Sequence, residues 1–510
     1  MPGTLLSAST LWALLHQRVA LTPHSPMLIE PASGRTLDCS EVLRRAERLA
    51  AGLYQAGVGP GHKVAWQLPT RIDTLLLILA LSRLGAVQNP ILHLYREREL
   101  GELLLQSEPS LLVIPGAEPS CDYPAMAARA MPGVRLLELA GALPDGDPAT
   151  LPPPPVDGDA VRWIYCTSGT TSGPKAARHT DTSVMAGGQT LGESMGVAAG
   201  DVGSIAFPCA HIGGIMYLTM IIAAGMSVVL IEKFNPPETV ATYRSLGVTH
   251  AGGSTAHYQA FLAEQRKNPQ GKVIPTLKVL SAGGAAKPPE LVYQLQQEMD
   301  CKVLHAYGMT EAPLVAHCTW GDSDEELAHT DGRAVANMEL RIVRKDGSDA
   351  APGENGEVWI RGRSLCHGYL DRAQTAAAFT ADGFYRTGDL GTLRPSGHLA
   401  ITGRIKDIII RKGENISARE IEDLLFTHPK VANVAVIGLP DTASGERVCA
   451  VIEPRPGEPA LSFEEMAEFL RTQGLMRQKI PEQLEVVDAL PRNQALNKVL
   501  KFKLREMFSP

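Results

Sequence analysis

The sequence predicts an α/β protein of more than one domain, and three observations lead to that class. Its 510 residues exceed what one hydrophobic core usually organises, which suggests roughly two to four domains. Segments with apolar residues at helical spacing alternate with short apolar runs, which is typical of parallel sheets flanked by helices. The last stretch of about one hundred residues has a pattern of its own and is long enough for a small separate core.

The chain follows this alternation in order. Leucines of the segment MPGTLLSASTLWALLHQRV predict an amphipathic helix. A helical pattern from Val42 to Leu53, a strand pattern from Val64 to Leu68 and a helical pattern from Ile72 to Leu84 follow. Residues 141–159, rich in proline, glycine and aspartate, predict a surface connector before the strand VRWIYC. Beyond residues 403–407, the strand VANVAVIGL, a helix around FEEMAEFLR and a basic tail indicate a separate α+β unit.

Composition and charge restrict the partners. The net charge is −7 and no long basic run occurs, which argues against nucleic acid or an anionic membrane as the main partner. The most apolar stretch, Leu75–Ala80, is flanked by Arg71 and Arg83 and is too short to span a bilayer. The N-terminus lacks a basic region and a cleavage site, so we expect no secretion signal. Eight cysteines without CxxC spacing predict free thiols, and together these features predict a cytoplasmic protein.

The strongest local motif is TSGTTSGPKAA, residues 167–177, directly after a predicted strand. Small residues let backbone N–H groups converge, and hydroxyls and a lysine add donors, a composition typical of a phosphate-binding loop. It is not a Walker loop, because Lys175 follows a proline and no Ser or Thr comes next. The alternative is a flexible surface loop. The candidate phosphate contacts are Thr167, Ser168, Gly169, Thr170, Thr171 and Lys175.

The second motif is YGMTEA, residues 307–312, which places an aromatic ring, a hydroxyl and a carboxylate close together. Tyr307 can stack on a base, a contact worth roughly 1–3 kcal/mol. Thr310 can donate to a phosphate oxygen, and Glu311 can hold Mg²⁺, which prefers carboxylate oxygens. Taken alone the motif is weak, because many strand ends have similar sequences.

Two further motifs follow, YRTGDLG at 385–391 and GRIKDIIIRKGENIS at 403–417. Asp389 after glycine is usually a turn residue, but a carboxylate presented by a tight turn can also accept from both hydroxyls of a ribose. Arg404 and Lys406 precede an apolar strand that ends in a glycine turn. The alternative for this segment is an ordinary charged hairpin.

The order and spacing of these four motifs resemble those of the adenylate-forming enzymes, which include acyl-CoA ligases, luciferases and peptide-synthetase adenylation domains. The resemblance covers essentially the whole chain. It implies a large N-terminal AMP-binding domain, residues 1–403, with parallel sheets flanked by helices and a β-subdomain. It also implies a hinge at 404–407, a mobile C-terminal lid at 408–510, and an active site between the two domains.

The resemblance also assigns roles around the nucleotide. It implies that Tyr307 stacks near the adenine, that Thr310 contacts the α-phosphate and that Glu311 binds Mg²⁺. Asp389 and Arg404 would hold the ribose. The cofactors implied are ATP or an acyl-AMP, Mg²⁺ and coenzyme A.

Further matches concern the lid and the catalytic groups. Gly283 and Gly284 match the adenine-side loop, and Lys406 matches the hinge about which the lid rotates. Gly413 and Glu414 match the lid loop that meets pantetheine in CoA ligases. Lys498 matches the lysine that reaches both the substrate carboxylate and ATP, so the implied catalytic set is Lys498, Thr310, Glu311 and Lys406.

The implied chemistry has two halves, and its partners are a small carboxylic acid or its acyl-AMP and CoA. First, a carboxylate attacks the α-phosphorus of ATP and pyrophosphate leaves, which requires cations near the developing charge. Second, the lid rotates and the CoA thiol attacks the mixed anhydride, releasing AMP. Because the anhydride is already activated, this half requires positioning more than acid–base catalysis.

Two motifs depart from the family pattern. Ser172 and Ala176 stand where the family loop has glycines, and a Cβ costs about 1 kcal/mol or more if either position needs a positive φ. Near the C-terminus PRNQALNK, residues 491–498, has one extra residue, and Asn497 stands at the expected glycine. A misplacement of about 1 Å can cost on the order of a hundredfold in rate.

These departures leave several functions open. In one, adenylation is weak or absent and the protein thioesterifies an acyl-AMP supplied by a separate adenylating enzyme. In another, both loops are tolerated variants of a complete ligase. A free-standing adenylation enzyme that loads a carrier protein is a further class, although no carrier segment follows Lys503. A non-catalytic nucleotide-binding relative is disfavoured because Glu311, Asp389 and Lys498 are present.

The acyl pocket is predicted near HIGGIMY, AGGSTAHY and Ala306. Small residues there leave room, which favours a bulky, cyclic acid over acetate. His211 would gate the CoA tunnel, or else serve as a packed turn histidine. The candidate substrate residues are His211, Gly213, Gly214, Gly252, Gly253 and Ala306.

Overall fold

The expected fold class is confirmed by a computed structural model, in which a large α/β domain on two mainly parallel sheets precedes a small α+β domain. No helix in the described part of the chain is long and apolar enough to cross a bilayer. The domain limits at 404–407 remain a prediction. The structure describes residues 5–139, 141, 143–167, 174–412, 414–442, 444–492 and 498–509.

The helices of the described chain are numbered in order. They are α1 (Leu11–Leu21), α2 (Cys39–Gln55), α3 (Ile72–Leu84), α4 (Glu97–Ser107), α5 (Tyr123–Ala130), α6 (Asp181–Met195), α7 (Ile212–Ala224), α8 (Pro236–Leu246), α9 (Thr255–Arg266), α10 (Pro289–Met299), α11 (Asp324–His329), α12 (Arg372–Ala378), α13 (Ala418–Phe426), α14 (Phe463–Thr472) and α15 (Lys501–Phe508). Short 3₁₀ turns cover Pro148–Thr150, Ile405–Asp407 and Arg477–Lys479.

The strands are numbered in the same way. They are β1 (Pro26–Glu30), β2 (Arg35–Asp38), β3 (Lys63–Trp66), β4 (Val87–Pro90), β5 (Leu111–Ile114), β6 (Ala117–Glu118), β7 (Cys121–Asp122), β8 (Leu136–Glu138), β9 (Val161–Thr167), β10 (Lys175–Thr180), β11 (Val202–Ile205), β12 (Ser227–Leu230), β13 (His250–Gly253), β14 (Val279–Gly283), β15 (Lys302–Met309), β16 (Ala312–His317), β17 (Arg333–Ala334), β18 (Met338–Val343), β19 (Gly356–Gly362), β20 (Tyr385–Leu393), β21 (Leu399–Arg404), β22 (Ile408–Arg411), β23 (Glu414–Ser417), β24 (Val431–Asp441), β25 (Gly445–Pro454) and β26 (Gln483–Val486).

The larger sheet has nine strands in the order β17-β16-β15-β14-β13-β11-β12-β1-β2. The pairs from β15 to β1 are parallel, and antiparallel strands flank them on both edges. Helices α3 and α6 contact strands of this sheet and of a second sheet, so they form a layer between the two. Both helices are buried on nearly all sides, because both of their faces meet apolar strands.

The second sheet has six strands in the order β10-β9-β4-β3-β5-β8, all parallel except the β9–β10 hairpin. The predicted strand VRWIYC is β9, and the predicted helix at Ile72–Leu84 is α3, so both predictions are confirmed. Helix α3 ends where Gly85 adopts a left-handed φ of 67°, which a residue with a Cβ adopts at a cost.

The β-subdomain is an antiparallel sheet of β18, β19, β20 and β21, which precedes the small domain in the chain. Its last two strands are paired so that Asp389 of β20 lies opposite Arg404 of β21. Directly opposed residues of an antiparallel pair have their side chains on one face and close together. Strand pairing therefore brings together two candidate site residues from separate motifs.

The C-terminal domain has a five-stranded sheet with helices on both faces. Strands β22 to β25 pair antiparallel, and β26 joins β25 in parallel. Alternate residues of β24 face opposite ways: Val436 packs with α13 and α14, whereas Ile437 packs with α15. The strand and helix predicted for this region correspond to β24 and α14 and are confirmed.

A buried carboxylate fastens the first helix to the layer between the sheets. Asp181, the first residue of α6, is 3% exposed. Its Oδ1 accepts a hydrogen bond from Nε1 of Trp163 at 2.9 Å, and its Oδ2 accepts one from the backbone N–H of Leu11 at 3.1 Å. Burial raises the pKa of Asp181, and these two accepted bonds oppose that rise.

Replacing this carboxylate should destabilise the large domain. We expect Asp181→Ala to cost about 2–4 kcal/mol, because it leaves two buried N–H donors without an acceptor. Calorimetric melting of the purified protein measures the change. The control is Asp159→Ala, which removes an exposed aspartate and should shift stability by no more than about 0.5 kcal/mol. Equal melting temperatures for the two variants would contradict this role of Asp181.

Candidate active site

The main cavity lies where the large domain, the β-subdomain and the C-terminal domain meet. Its volume is about 280 Å³. The parallel strands of the large sheet end beside this cavity, so loops that follow several strands converge on it. The candidate site residues that line it are Gly284, Ala306, Tyr307, Asp389, Arg404 and Lys498.

Three of these residues form a connected polar group. The hydroxyl of Tyr307 donates to Oδ2 of Asp389 at 2.8 Å, and Nε of Arg404 lies 2.8 Å from Oδ1 of the same carboxylate. Asp389 is 4% exposed, so these partners compensate a charge withdrawn from water. Burial and the neighbouring carboxylate raise the pKa of Tyr307 well above its usual value, which keeps the phenol a donor.

Lys498 reaches the same cavity from the C-terminal domain. Burial, together with the nearby charge of Arg404, lowers its pKa to about 8, while Asp389 opposes that fall. The residues just before it, 493–497, include the predicted departure at Asn497 and lie outside the described chain. The longer loop nevertheless leaves Lys498 beside Arg404 and Asp389.

Glu311 sits in the turn between β15 and β16, where it is 8% exposed. The hydroxyl of Tyr369 donates to its Oε1 at 2.6 Å, and the hydroxyl of Tyr385 lies 3.0 Å from that of Tyr369. A single oriented carboxylate fits Mg²⁺, which usually takes one or two protein carboxylates and completes its shell with phosphate and water oxygens. Tyr369 belongs to none of the predicted motifs, and its role becomes visible only through the folding of 366–370 onto β10.

The backbone of Thr310 is held by a buried histidine. Nε2 of His179 lies 2.8 Å from the carbonyl oxygen of Thr310, and its Nδ1 lies 2.9 Å from the hydroxyl of Ser183. Burial lowers the pKa of His179 to about 4, so the ring is neutral at pH 7. Since a carbonyl only accepts, Nε2 carries the proton, which leaves Nδ1 as an acceptor facing the Ser183 hydroxyl. Sequence reasoning missed His179, which shows no motif signal.

A strand flanks the candidate phosphate loop on each side. Thr167 ends β9 and Lys175 begins β10, and the two residues pair across the hairpin. Ala176 is a buried strand residue and is not among the described residues with positive φ, so the strain considered for its Cβ does not arise. The remaining loop residues named above, Ser168, Gly169, Thr170, Thr171 and Ser172, lie outside the described chain.

His211 caps a helix and borders a small cavity, while its role as a gate to the CoA tunnel stays a prediction. Its Nδ1 accepts from the backbone N–H of Gly213 at 3.1 Å, so the ring caps helix α7. It also borders a second, smaller cavity of about 30 Å³, together with Tyr95, Tyr165 and Thr310. Burial lowers the pKa of His211 to about 4, which makes it a neutral group at pH 7.

The glycines predicted to leave room for a bulky acid are instead sites of close packing. A Cβ on Gly214 would lie 2.0 Å from the carbonyl oxygen of Cys209, and one on Gly252 would lie 1.8 Å from that of Ser281. Neither cavity is lined by Gly213, Gly214, Gly252 or Gly253. Gly214 and Gly252 therefore do not open space on the side where a Cβ would lie, because backbone atoms occupy it, and the place of the acyl pocket near these segments stays a prediction.

The other predicted site residues, two glycines of the adenine-side loop and the residues of the hinge and lid loop, lie at different distances from the main cavity. A Cβ on Gly283 would lie 2.8 Å from the carbonyl oxygen of Ala306, whereas Gly284 adopts a φ of 80° at the cavity wall. Lys406 is exposed in the 3₁₀ turn between β21 and β22. Glu414 is exposed at the start of β23 and does not line the main cavity, and Gly413 lies outside the described residues.

A cavity at the edge of a parallel sheet, bordered by a small domain that contributes a partly buried lysine, fits the class of AMP-forming ligases. Comparison with known families agrees. The description "AMP-binding enzyme" matches residues 15–370, and "AMP-binding enzyme C-terminal domain" matches residues 420–495. The chain therefore belongs to the AMP-binding enzyme family, the adenylate-forming superfamily, and is an acid–thiol ligase of the AMP-forming kind.

Individual relatives align over nearly the whole chain. The medium-chain fatty-acid–CoA ligase of Escherichia coli is 30% identical over 93% of this chain and 86% of its own. The salicyl-AMP ligase / salicyl-S-ArCP synthetase of Mycobacterium tuberculosis is 30% identical over 89% of this chain and 82% of its own. The crystal structure of ATP-bound MatB from Rhodopseudomonas palustris superposes with a TM-score of 0.88 at 27% identity, covering 98% of this chain and 99% of that one.

The close packing at Gly252 gives a prediction that separates structure from acid specificity. We expect Gly252→Ala to lower the melting temperature, because its Cβ would overlap a strand carbonyl oxygen that cannot move without disrupting the β13–β14 pairing. The control is Gly271→Ala, whose Cβ would meet nothing within 4 Å. A Gly252→Ala protein that melts normally but accepts a different range of acids would restore the acyl-pocket assignment.

Proposed function

We propose that this enzyme joins a carboxylic acid to coenzyme A by way of an acyl-AMP that it makes itself from ATP. The single observation that carries this proposal is that Lys498 lies in the same cavity as Tyr307, Asp389 and Arg404. A cation beside a candidate ribose site is what the first half-reaction requires, and the altered C-terminal loop leaves it there. The ATP-bound state of a related structure supports the nucleotide assignment.

In this proposal the nucleotide occupies the main cavity. The adenine lies against Tyr307 and the turn at Gly283–Gly284, and the ribose hydroxyls are bound by Asp389 and Arg404. Thr310 and the loop of Thr167 and Lys175 donate to phosphate oxygens. Glu311 would hold Mg²⁺, which neutralises charge on the triphosphate when it is bound.

The first bond exchange occurs at the α-phosphorus. An oxygen of the substrate carboxylate bonds to that phosphorus, the bond to the bridging oxygen of the β-phosphate breaks, and pyrophosphate leaves with the electron pair. The ammonium of Lys498 lies near both reacting oxygens and offsets the negative charge that grows there. Its partly buried position strengthens this interaction, because little water screens it.

The second half-reaction requires a different arrangement of the small domain. The CoA sulfur bonds to the acyl carbon, the bond between that carbon and the AMP oxygen breaks, and the thiol proton is released. We propose that Gly413 and Glu414 guide pantetheine, although Glu414 lies outside the cavity in the present arrangement. Rotation about 404–407, with Lys406 at its centre, would bring them in.

A bulky, cyclic acid remains our hypothesis for the substrate, but fewer structural features support it than the sequence suggested. Gly214 and Gly252 do not support it, and the cavity beside His211 has room for only about two water molecules. A ring would require side chains such as Tyr95 and Tyr165 to move. Named relatives act on fatty acids and on salicylate, so chain-like and aromatic acids belong beside alicyclic ones in any test.

The two half-reactions can be measured separately on a panel of medium-chain, aromatic and alicyclic acids. We expect acid-dependent ATP–pyrophosphate exchange, and CoA thioester from the same acid. Asp389→Ala is the control and should reduce both, because both halves use the AMP site. Thioester from synthetic acyl-AMP without any exchange would favour the variant fed by a separate adenylating enzyme. Exchange without thioester to CoA would favour loading of a carrier protein.

The lowered pKa of Lys498 predicts the alkaline limb of the adenylation rate. The protonated form offsets charge, so kcat/KM should fall about tenfold per pH unit once the pH rises above about 8, the pKa of this lysine. In kcat the limb should move to higher pH, because bound triphosphate favours the cation. Lys498→Arg should be slower but should lack this limb, since arginine stays protonated. A wild-type profile that stays level to about two pH units above that pKa would contradict the assignment, whatever the rate.

A further inference from the structure

Tyr369 lies between two groups that the proposed function assigns to the triphosphate. We propose that Tyr369 is a positioning residue for MgATP: its hydroxyl orients the Glu311 carboxylate and its ring orients the Lys175 ammonium. The inference rests on the proposed function and adds to it a residue that no motif includes. It also predicts that the two groups act together.

The contact between the Tyr369 hydroxyl and Glu311 is short and shielded from water. Tyr369 is 1% exposed, and its hydroxyl donates to Oε1 of Glu311 at 2.6 Å. The hydroxyl of Tyr385 lies 3.0 Å away, so a second phenol fixes the first. Because an ionised carboxylate only accepts hydrogen bonds, the Tyr369 phenol is the donor. This bond fixes the orientation of the Glu311 carboxylate, whose remaining lone pairs can still coordinate a metal ion.

The backbone around Tyr369 is fixed on both sides. Before it, the N–H of Cys366 donates to the carbonyl oxygen of Glu311 at 2.7 Å, which ties the segment to the turn that carries this carboxylate. After it, the N–H of Leu370 donates to the carbonyl oxygen of Ala176 at 2.9 Å. This second bond ties the segment to β10, whose first residue is Lys175. The ring is therefore held at a fixed place between the two candidate site elements.

The ring face is turned toward the lysine. Nζ of Lys175 lies 5.3 Å from the centre of the Tyr369 ring, a distance at which a cation is attracted to an aromatic face. The ring thus restricts where the ammonium can go before any phosphate is bound. Loss of the hydroxyl alone frees the carboxylate, and loss of the whole ring frees the lysine as well.

This arrangement matters for a nucleotide with a metal-bound triphosphate and not for AMP. Mg²⁺ binds nucleotides mainly through phosphate oxygens together with one or two carboxylates. AMP has no β- or γ-phosphate, and in the proposed site it is held by Tyr307, Asp389 and Arg404. A positioning role for Tyr369 should therefore appear as a selective loss of MgATP binding, whereas a merely structural role should affect both nucleotides.

Calorimetric titration of the purified full chain tests this without needing the acid. We expect Tyr369→Phe to weaken MgATP binding about tenfold, the loss expected for one hydrogen bond to a charged group. AMP binding, and ATP binding in EDTA, should change by less than about twofold. The matched control is Tyr243→Phe, which removes the hydroxyl of a similarly buried tyrosine on α8 and should leave all three affinities unchanged.

A double-mutant cycle adds a readout that a folding defect would not give. In a Glu311→Gln background, Tyr369→Phe should have little further effect on MgATP binding, because the oriented carboxylate is already gone. Equal losses for AMP and MgATP, or no loss at all, would overturn the proposal. Wild-type protein that binds neither nucleotide would refute the proposed function itself. Wild-type protein that binds both, but binds ATP equally with and without Mg²⁺, would refute only the role of Tyr369.

Discussion

The carboxylate of Asp389 is the group on which the candidate site depends most directly. It accepts from Tyr307 of the large sheet and pairs with Arg404 of the β-subdomain, so one buried charge joins two sheets at the cavity wall. A charge this far from water persists only with such partners, since an unpaired one is strongly disfavoured. The 3₁₀ turn at Ile405–Asp407 follows Arg404 directly, so the chain enters the small domain from a fixed point.

The same ion pair influences the lysine that faces it. Burial first and then Arg404 lower the pKa of Lys498, whereas Asp389 opposes the fall. Burial and then Arg404 also lower the pKa of Lys406. Three basic groups thus lie near one buried carboxylate, and their mutual repulsion makes this region favourable for an anion. A nucleotide phosphate would relieve that repulsion, which links nucleotide binding to the position of the small domain.

Polar contacts across the two domains are compatible with their separation. Nε2 of Gln259 donates to Oδ1 of Asn433 at 3.2 Å, and Nη2 of Arg505 lies 3.4 Å from Oδ1 of Asp407 in the turn itself. Contacts of this kind at partly exposed positions contribute little, often less than about 1 kcal/mol. By contrast, Glu311, Thr310 and Lys175 are fastened within the large domain by buried hydrogen bonds and strand pairing. Within the described chain, these three candidate residues are therefore held more firmly than the contacts between the domains.

The sequence by itself determined the fold class, the order of the elements and most of the candidate nucleotide-binding residues. Apolar spacing predicted α3 and β9, and the resemblance of short motifs to a known family predicted that Tyr307, Asp389 and Arg404 share a site, as they share a cavity in the structure. Only the tertiary structure decided how the glycines pack. A glycine in the sequence is compatible either with an open pocket or with a backbone carbonyl packed against its Cα, and the structure shows the second at Gly214 and Gly252. It alone revealed the contacts of Tyr369 and His179, since their partners are 58 and 131 residues away along the chain. Such distant pairings depend on how the sheets pack, which no local pattern encodes.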